Sequence, residues 1–284
     1  MAADAFDGRH GGRAGRLRCT CCSPNGTGSL SRQGAVRQRA GYFDVMNETI
    51  DIHRAPDRFA TELGWLKARH SFSFGPHLDP LNVSHGLLIV SNDDWISPGG
   101  GFGSHSHADM EIVTWVLQGA LEHWDSNENR GVLRPGLAQR MSAGSGITHS
   151  EVNASKTDPV HLVQMWVVPD TLGVASTYED RDFSEALTEG GLVAVASGQG
   201  HQGAMPIHQQ GAAMWVGRLV EGAGTALPVA PFVHLFVAKG SVELGGVILE
   251  EGDAARLTHA GALKVTSRGD SEIIIWESQQ KATR

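Results

Sequence analysis

Apolar residues recur along this chain in short runs closed by turn residues, the pattern of strands rather than helices. From Leu87 onward "GLLIVSNDD", "MEIVTWVLQG" and "HLVQMWVVP" are such runs, the last stopped by Pro169. "GALEHWDS" follows the second run and is expected to be its hairpin partner. Helix signals are few. "PDRFATELGWL" near residue 60 is one, and "DRDFSEALTEG" is another, with Asp180 or Asp182 placed to cap a short helix ending before Gly190. The fold class expected is all-β with a few short helices.

The pattern repeats. "VLQGALEHWD…GVLRPGLAQRMSAG" is echoed by "FVAKGSVELGGVILEEGDAARLTHAG", pairing Gly119 with Gly240, Pro135-Gly136 with Glu251-Gly252, and Gly144 with Gly261. Both copies read as strand, turn, strand, turn, strand. Thirty-six glycines fit many tight turns. Two tandem β-barrels or sandwiches are expected, one over residues 46–170 and one over 171–284.

Charge separates a third region. Residues 1–45 hold seven arginines against three aspartates, +4, so residues 46–284 carry −12 of the chain's −8. An acidic body lacks the footprint of direct nucleic-acid binding. Residues 1–45 show no apolar periodicity and read as a disordered basic extension, with Met46 a plausible start of translation. They hold every cysteine, Cys19, Cys21 and Cys22, spaced too closely for internal disulfides, which suits a reducing, cytoplasmic setting. No apolar run approaches the roughly 18 residues of a membrane span, so a soluble protein is expected.

The candidate chemistry lies in "GSHSHADMEIVTW" and "GITHSEVN". Residues i and i+2 of a strand share a face. His105 and His107 therefore point together, joined by Glu111 if the strand is not bulged, and His149 and Glu151 form a second pair. Imidazoles with a carboxylate suit a borderline divalent metal, Fe(II), Mn, Cu, Ni, Co or Zn, better than calcium or magnesium. Counting back from Gly240, the second copy has Ala226, Pro228 and Phe232 where the first has His105, His107 and Glu111, and Thr266 near the place of His149. One metal per chain, in the first copy, is expected. His123 reads as a solvent-facing strand residue, and His201, His208, His234 and His259 as structural or surface residues. Phe102, Trp115 and Met141 are candidates for lining a pocket.

Gly99-x5-His105-x-His107-x3-Glu111-x7-Gly119 resembles the first cupin motif, one residue longer before its last glycine. Gly146-x2-His149-x3-Asn153 resembles the end of the second, with Gly144 where many cupins have proline. "RHSFSF…DP", "GFGSHSHADMEIVTWVLQGALEHWDS" and "RMSAGSGITHSEVN" resemble, more specifically, the pirin family of bicupins, from about Trp65 to the C-terminus. Ser106 stands where that family often has proline. The resemblance implies two cupin barrels, the second degenerate, and one metal, usually Fe(II), on His105, His107, His149 and Glu151. Typical cupins use the glutamate of the first motif instead, so the sequence leaves open whether Glu111 or Glu151 is the carboxylate ligand.

The same resemblance implies a quercetin 2,3-dioxygenase, which opens the central ring of a flavonol with O2 and releases CO, with Glu151 or Glu111 as base. The alternative it carries is a non-catalytic, iron-dependent redox sensor that acts on a protein partner. A metal-dependent isomerase or hydrolase on the same scaffold is a third reading.

Overall fold

The computed structural model describes residues 48–282, and its apolar runs form strands. The expectations for residues 1–45 and for Met46 fall outside the described residues. The described residues open with β1 (Thr49–His53), β2 (Phe59–Glu62), β3 (Leu66–His70), β4 (Leu88–Ile96) and β5 (Gly101–His107). It continues with β6 (Glu111–Gln118), β7 (Leu121–Asp125), β8 (Arg130–Leu133), β9 (Leu137–Ser142), β10 (Ile147–Asn153) and β11 (Val160–Val167). A second series follows: β12 (Thr177–Asp182), β13 (Leu192–Ser197), β14 (Met205–Pro206), β15 (Ala212–Leu219) and β16 (Gly224–Ala226). It ends with β17 (Phe232–Lys239), β18 (Ser241–Leu244), β19 (Val247–Glu250), β20 (Ala254–Thr258), β21 (Lys264–Ser267) and β22 (Ser271–Ser278).

The strands assemble twice by one plan. The first half has a seven-stranded sheet, β12-β9-β6-β11-β4-β3-β2, and a four-stranded sheet, β5-β10-β7-β8. The second has β1-β20-β17-β22-β15-β13-β14 and β16-β21-β18-β19. The two orders match except at the far edge of the large sheets, where β2 pairs antiparallel with β3 but β14 pairs parallel with β13. The edge strands are exchanged: β1, at the start of the first series, pairs with β20, and β12, at the start of the second, pairs with β9. The paired glycines share left-handed backbone, φ 77° and 71° at Gly119 and Gly240, 97° and 83° at Gly136 and Gly252, 48° and 68° at Gly144 and Gly261.

Within each half the two sheets face each other across a core. Leu66, Ile96, Val116 and Leu162 of the large sheet meet Leu121 and Leu133 of the small one. Val233, Leu235 and Ile275 meet Val242, Leu249 and Val265 in the second half. The outer faces of both large sheets pack on one another through Val113, Trp115, Met165, Phe236, Ile274 and Trp276. Hydrogen bonds cross that seam, Trp115 Nε1 donating to Glu272 Oε1 at 2.6 Å and Lys239 Nζ to the Leu117 carbonyl at 2.7 Å.

Three expectations need correction. "PDRFATELGWL" forms a 3-10 turn, Ala55–Asp57, and then β2, which pairs with β3. Its half-buried and exposed residues alternate with period two, and Gly64 lies in the turn that follows. Asp180 and Asp182 belong to β12, leaving only a 3-10 turn at Ala186–Glu189; Asp182 Oδ1 accepts from the Ser184 amide and caps no helix. Among the described residues no α-helix forms. Finally, β7 is no hairpin partner of β6: Gly119 carries the chain from the large sheet to the small one, where β7 pairs with β10 and β8. No described helix is long and apolar enough to cross a membrane.

A Cβ on Gly119 would press on the Pro159 carbonyl and Val160, and one on Gly240 on the matching Asp270 carbonyl and Ser271. Gly119→Ala and Gly240→Ala should each cost about 2 kcal/mol, since left-handed strain adds to the backbone contact. Gly64→Ala, with open space at its Cβ, should stay within about 0.5 kcal/mol. Denaturant midpoints measure all three; a loss at one repeat position and none at the other would refute their equivalence.

Candidate metal centre

Strand pairing gathers the ligand-type residues. β10 lies between β5 and β7, with His149 opposite His105 on one side and opposite Asp125 on the other. Glu151 stands opposite His123 on β7. The β5–β10 register shifts between His149 and Glu151, where Phe102–His105 of β5 spans one residue more than its partner. The imidazole centroids of His105 and His149 lie 4.4 Å apart, those of His105 and His107 4.9 Å, and those of His107 and His149 5.0 Å. One potential ligand atom from each of these three lies within 4.8 Å of the others, and the same is true of His123, His149 and Glu151. Both groups lie in the first half, sharing His149.

The imidazoles are set up to offer lone pairs. His105 Nδ1 lies 2.7 Å from the Gly103 carbonyl; a carbonyl only accepts, so the proton is on Nδ1 and the lone pair on Nε2. Burial, then His105 and His123, pushes the pKa of His149 down to about 3 against the pull of Asp125. His107 is pushed down to about 4 by burial, then by His149 and His105, against Glu151. Both are neutral near pH 7, the state a divalent metal needs. His149 Nε2 is buried and has no protein partner.

The carboxylate is buried and clamped. Glu151 accepts from Gln139 Nε2 at 3.2 Å and from Gln164 Nε2 at 2.6 Å. Gln164 Oε1 accepts in turn from Trp166 Nε1 at 3.2 Å, so its NH2 end is the one facing Glu151. Trp166 also packs edge-on against His107, 4.9 Å between centroids, and against Phe74 at 5.6 Å. Asp94 is buried nearby, and burial, with the charges of Asp93 and Glu151, holds its carboxyl well above the ordinary range. An imidazole trio on a half-open face, with a buried carboxylate grouped with one of its members, His149, offers donors of the kind a divalent transition metal takes.

The sequence candidates divide. His105, His107 and His149 come together, and Glu151 falls with His149 and His123 in the second group. Glu111 joins neither: β5 ends at His107, Asp109 turns the chain with φ 49°, and β6 begins with Glu111 on its other face. There its carboxylate accepts from Ser142 Oγ at 2.7 Å and lies 3.4 Å from His208 Nδ1 of the second half. Trp115 faces the seam between halves, and Met141 lies buried with Ile112 and Ile147. Phe102 stays near, 6.4 Å from His105. His123, read as solvent-facing, is fully buried behind His149. Trp166 was missed, although Gln164 and Trp166 alternate in "HLVQMWVVP" and so share the face of the site.

The lowered histidine pKa values set a pH dependence for the metal-free protein. An unfolded histidine titrates near 6.5, so below that pH the unfolded chain binds protons that folded His149 and His107 refuse. Stability therefore falls as pH drops from 6.5 toward 4, with a slope of up to about 1.4 kcal/mol per pH unit for His149 and less for half-exposed His107. Denaturant midpoints at pH 7 and pH 5 in the presence of a chelator should show the loss, and His149→Asn should reduce it. A flat profile would contradict these proton affinities.

Sequence and structure comparisons place the chain. A family model described as pirin matches residues 53–167, and one described as the quercetinase C-terminal cupin domain matches residues 194–277. The chain is 53% identical over 238 residues to a Mycobacterium tuberculosis protein named "Putative quercetin 2,3-dioxygenase", spanning 83% of this chain and 98% of that one. It is 35% identical over 229 residues to the quercetin 2,3-dioxygenase of Escherichia coli K12, covering 80% and 98%. The crystal structure of the E. coli bacterial pirin YhhW in complex with nickel(II) superposes with a TM-score of 0.76 at 34% identity, over 82% of this chain and all of that one. With both halves matched by their own family models and relatives aligned along nearly their whole length, the chain belongs to the pirin family and is built as a bicupin.

Proposed function

We propose that this chain is a metal-dependent dioxygenase that opens the ring of a flavonol, or a similar enolic aromatic, taking up O2 and releasing CO. The observation that carries the reading is the convergence of His105, His107 and His149 on one half-open face beside the buried carboxylate of Glu151. The name borne by the E. coli relative supplies the substrate class. We assign the metal to His105, His107, His149 and Glu151 and take it to be Fe(II); the E. coli pirin structure in complex with nickel(II) supports a divalent metal. The chemistry then belongs to residues 46–170, and residues 171–284 serve as a ligand-free support.

The metal would supply positive charge beside the deprotonated substrate and a route for its electrons to O2. The chain's own residues do the rest. Glu151, its oxygens directed by Gln139 and Gln164, is the carboxylate available to take the flavonol hydroxyl proton. Glu111, engaged with Ser142 and His208, has no part in it. Trp166 and Phe102 offer apolar rings beside the imidazoles, with Phe74 packed against Trp166, suited to orienting a planar ring system and excluding water from it.

Oxygen uptake by Fe(II)-loaded protein on adding quercetin, with CO detected in the gas phase, tests the proposal. Glu151→Ala and His149→Ala should lose bound metal and at least about 100-fold in rate, whereas Glu111→Gln should stay within about threefold. Stoichiometric iron with no oxygen uptake would overturn the dioxygenase reading in favour of a redox-responsive binding protein. Absence of any bound metal would overturn the metal assignment itself.

A further inference from the structure

His123 is fully buried and belongs to the second group of potential ligand atoms, with His149 and Glu151, yet it lies outside the assigned metal ligands. It stands on β7 between Glu151 of β10 and Gly131 of β8. Tyr178, from β12, stacks on its ring with centroids 4.7 Å apart and planes 25° from parallel. Gly131 makes that possible, because a Cβ there would collide with the Tyr178 hydroxyl oxygen. The hydroxyl donates to Asp180 Oδ2 at 2.9 Å, which fixes the ring over His123. At the edge of the imidazole, Asp125 Oδ2 lies 3.4 Å from His123 Nε2. Asp125 is itself held: Oδ1 accepts from the amides of Asn127 and Asn129 at 2.9 and 3.1 Å, and Oδ2 from Asn129 Nδ2 at 2.9 Å. Burial works against ionisation of this carboxyl, but the donors of Asn129, Asn127 and His123 outweigh it and lower its pKa.

On the far side of the ring, His123 Nδ1 faces His149 Nδ1 at 3.5 Å. Two nitrogens that face each other need one proton between them. An ionised Asp125 only accepts, so His123 carries its proton on Nε2 and a lone pair on Nδ1. His149 must then carry its proton on Nδ1, which leaves a lone pair on Nε2, the buried nitrogen with no protein partner. The opposite tautomer of His149 would bury an N–H without an acceptor and set two lone pairs against each other.

We propose that His123, braced by Asp125 and Tyr178, is a positioning residue that fixes His149 in the tautomer presenting Nε2 to the metal. The inference rests on the metal assignment made above. A ligating imidazole whose other N–H has a fixed acceptor is better oriented and more basic, and loss of such an acceptor costs 10- to 100-fold in metal affinity.

Two measurements test it on the full chain. In histidine-15N-labelled, Zn(II)-loaded protein, long-range proton–nitrogen spectra should show His149 as the Nδ1–H tautomer and His123 as Nε2–H; a His123 Nδ1–H signal would overturn the proposal. Co(II) titrations followed by visible absorption then compare variants. His123→Leu, which has no acceptor, should bind about 10- to 100-fold more weakly with an altered spectrum, whereas His123→Asn, whose amide oxygen can take the Nδ1 position, should stay within about threefold. A His123→Leu protein matching wild type in affinity and spectrum, or a His123→Asn protein as impaired as His123→Leu, would overturn it while leaving the metal assignment standing. Wild-type protein that takes up neither Zn(II) nor Co(II) would overturn the metal assignment and this role together. Should His123→Leu fail to fold, the wild-type tautomer spectrum decides alone.

Discussion

Both large sheets are buried on both faces, so each residue of their central strands must satisfy either the seam between the halves or the interior of its own half. Strand alternation allots the positions. On β6, Val113, Trp115 and Leu117 go to the seam, which leaves Ile112, Thr114 and Val116 for the interior. On β9 and β11, Ala138, Val163 and Met165 go to the seam, and that sends Gln139 and Gln164 inward to Glu151. A slip of one residue would exchange the two sets entirely. The hydrophobic seam, assembled without reference to any ligand, thus aims the polar side chains of the site.

The two interiors use that arrangement differently. In the second half, Val233, Leu235, Val237, Ile273 and Ile275 fill the space with hydrocarbon, each worth about 1.5–3 kcal/mol buried. In the first half, aliphatic residues occupy one region and polar ones another. There His149 Nε2, Asp94 Oδ1, Thr114 Oγ1 and Gln139 Oε1 lack a protein partner, at about 1–3 kcal/mol each. Such a concentration is hard to justify as structure and easy to justify as a site. Asp94 fits the same logic, because burial, with the charges of Asp93 and Glu151, raises its pKa and so works against a further charge beside Glu151.

Much of this was legible in the sequence because it depends on local spacing. His-x-His and His-x-Glu on strands fix which side chains share a face, and the paired glycines mark turns that demand left-handed backbone in both halves. What failed depended on contacts between distant strands. Parity put Glu111 with His105 and His107, but the turn at Asp109 breaks the strand between them. "GALEHWDS" looked like a hairpin partner because sequence adjacency usually means pairing, yet Gly119 sends it to the other sheet. His123 sits among exposed neighbours, Glu122 and Trp124, and only the pairing of β7 with β10 shows that its own face is the inside. Gln139, Gln164 and Trp166 carry no motif, since an amide clamp requires only that the right strands be neighbours.

The exchanged edge strands bear on how the halves depend on one another. β12 follows the first series in sequence and pairs with β9 of the first half, bringing Tyr178 onto His123. β1 does the reverse, completing the second half's large sheet from the start of the described chain. His208 reaches Glu111 across the same boundary, and Glu272 receives the indole of Trp115. Each half is therefore finished by a strand that the other series begins. A repeat that had lost its ligands and served only as ballast could be shed without touching the site. This one is tied to the site, because the connection leading into it supplies the ring that stacks on His123 behind His149.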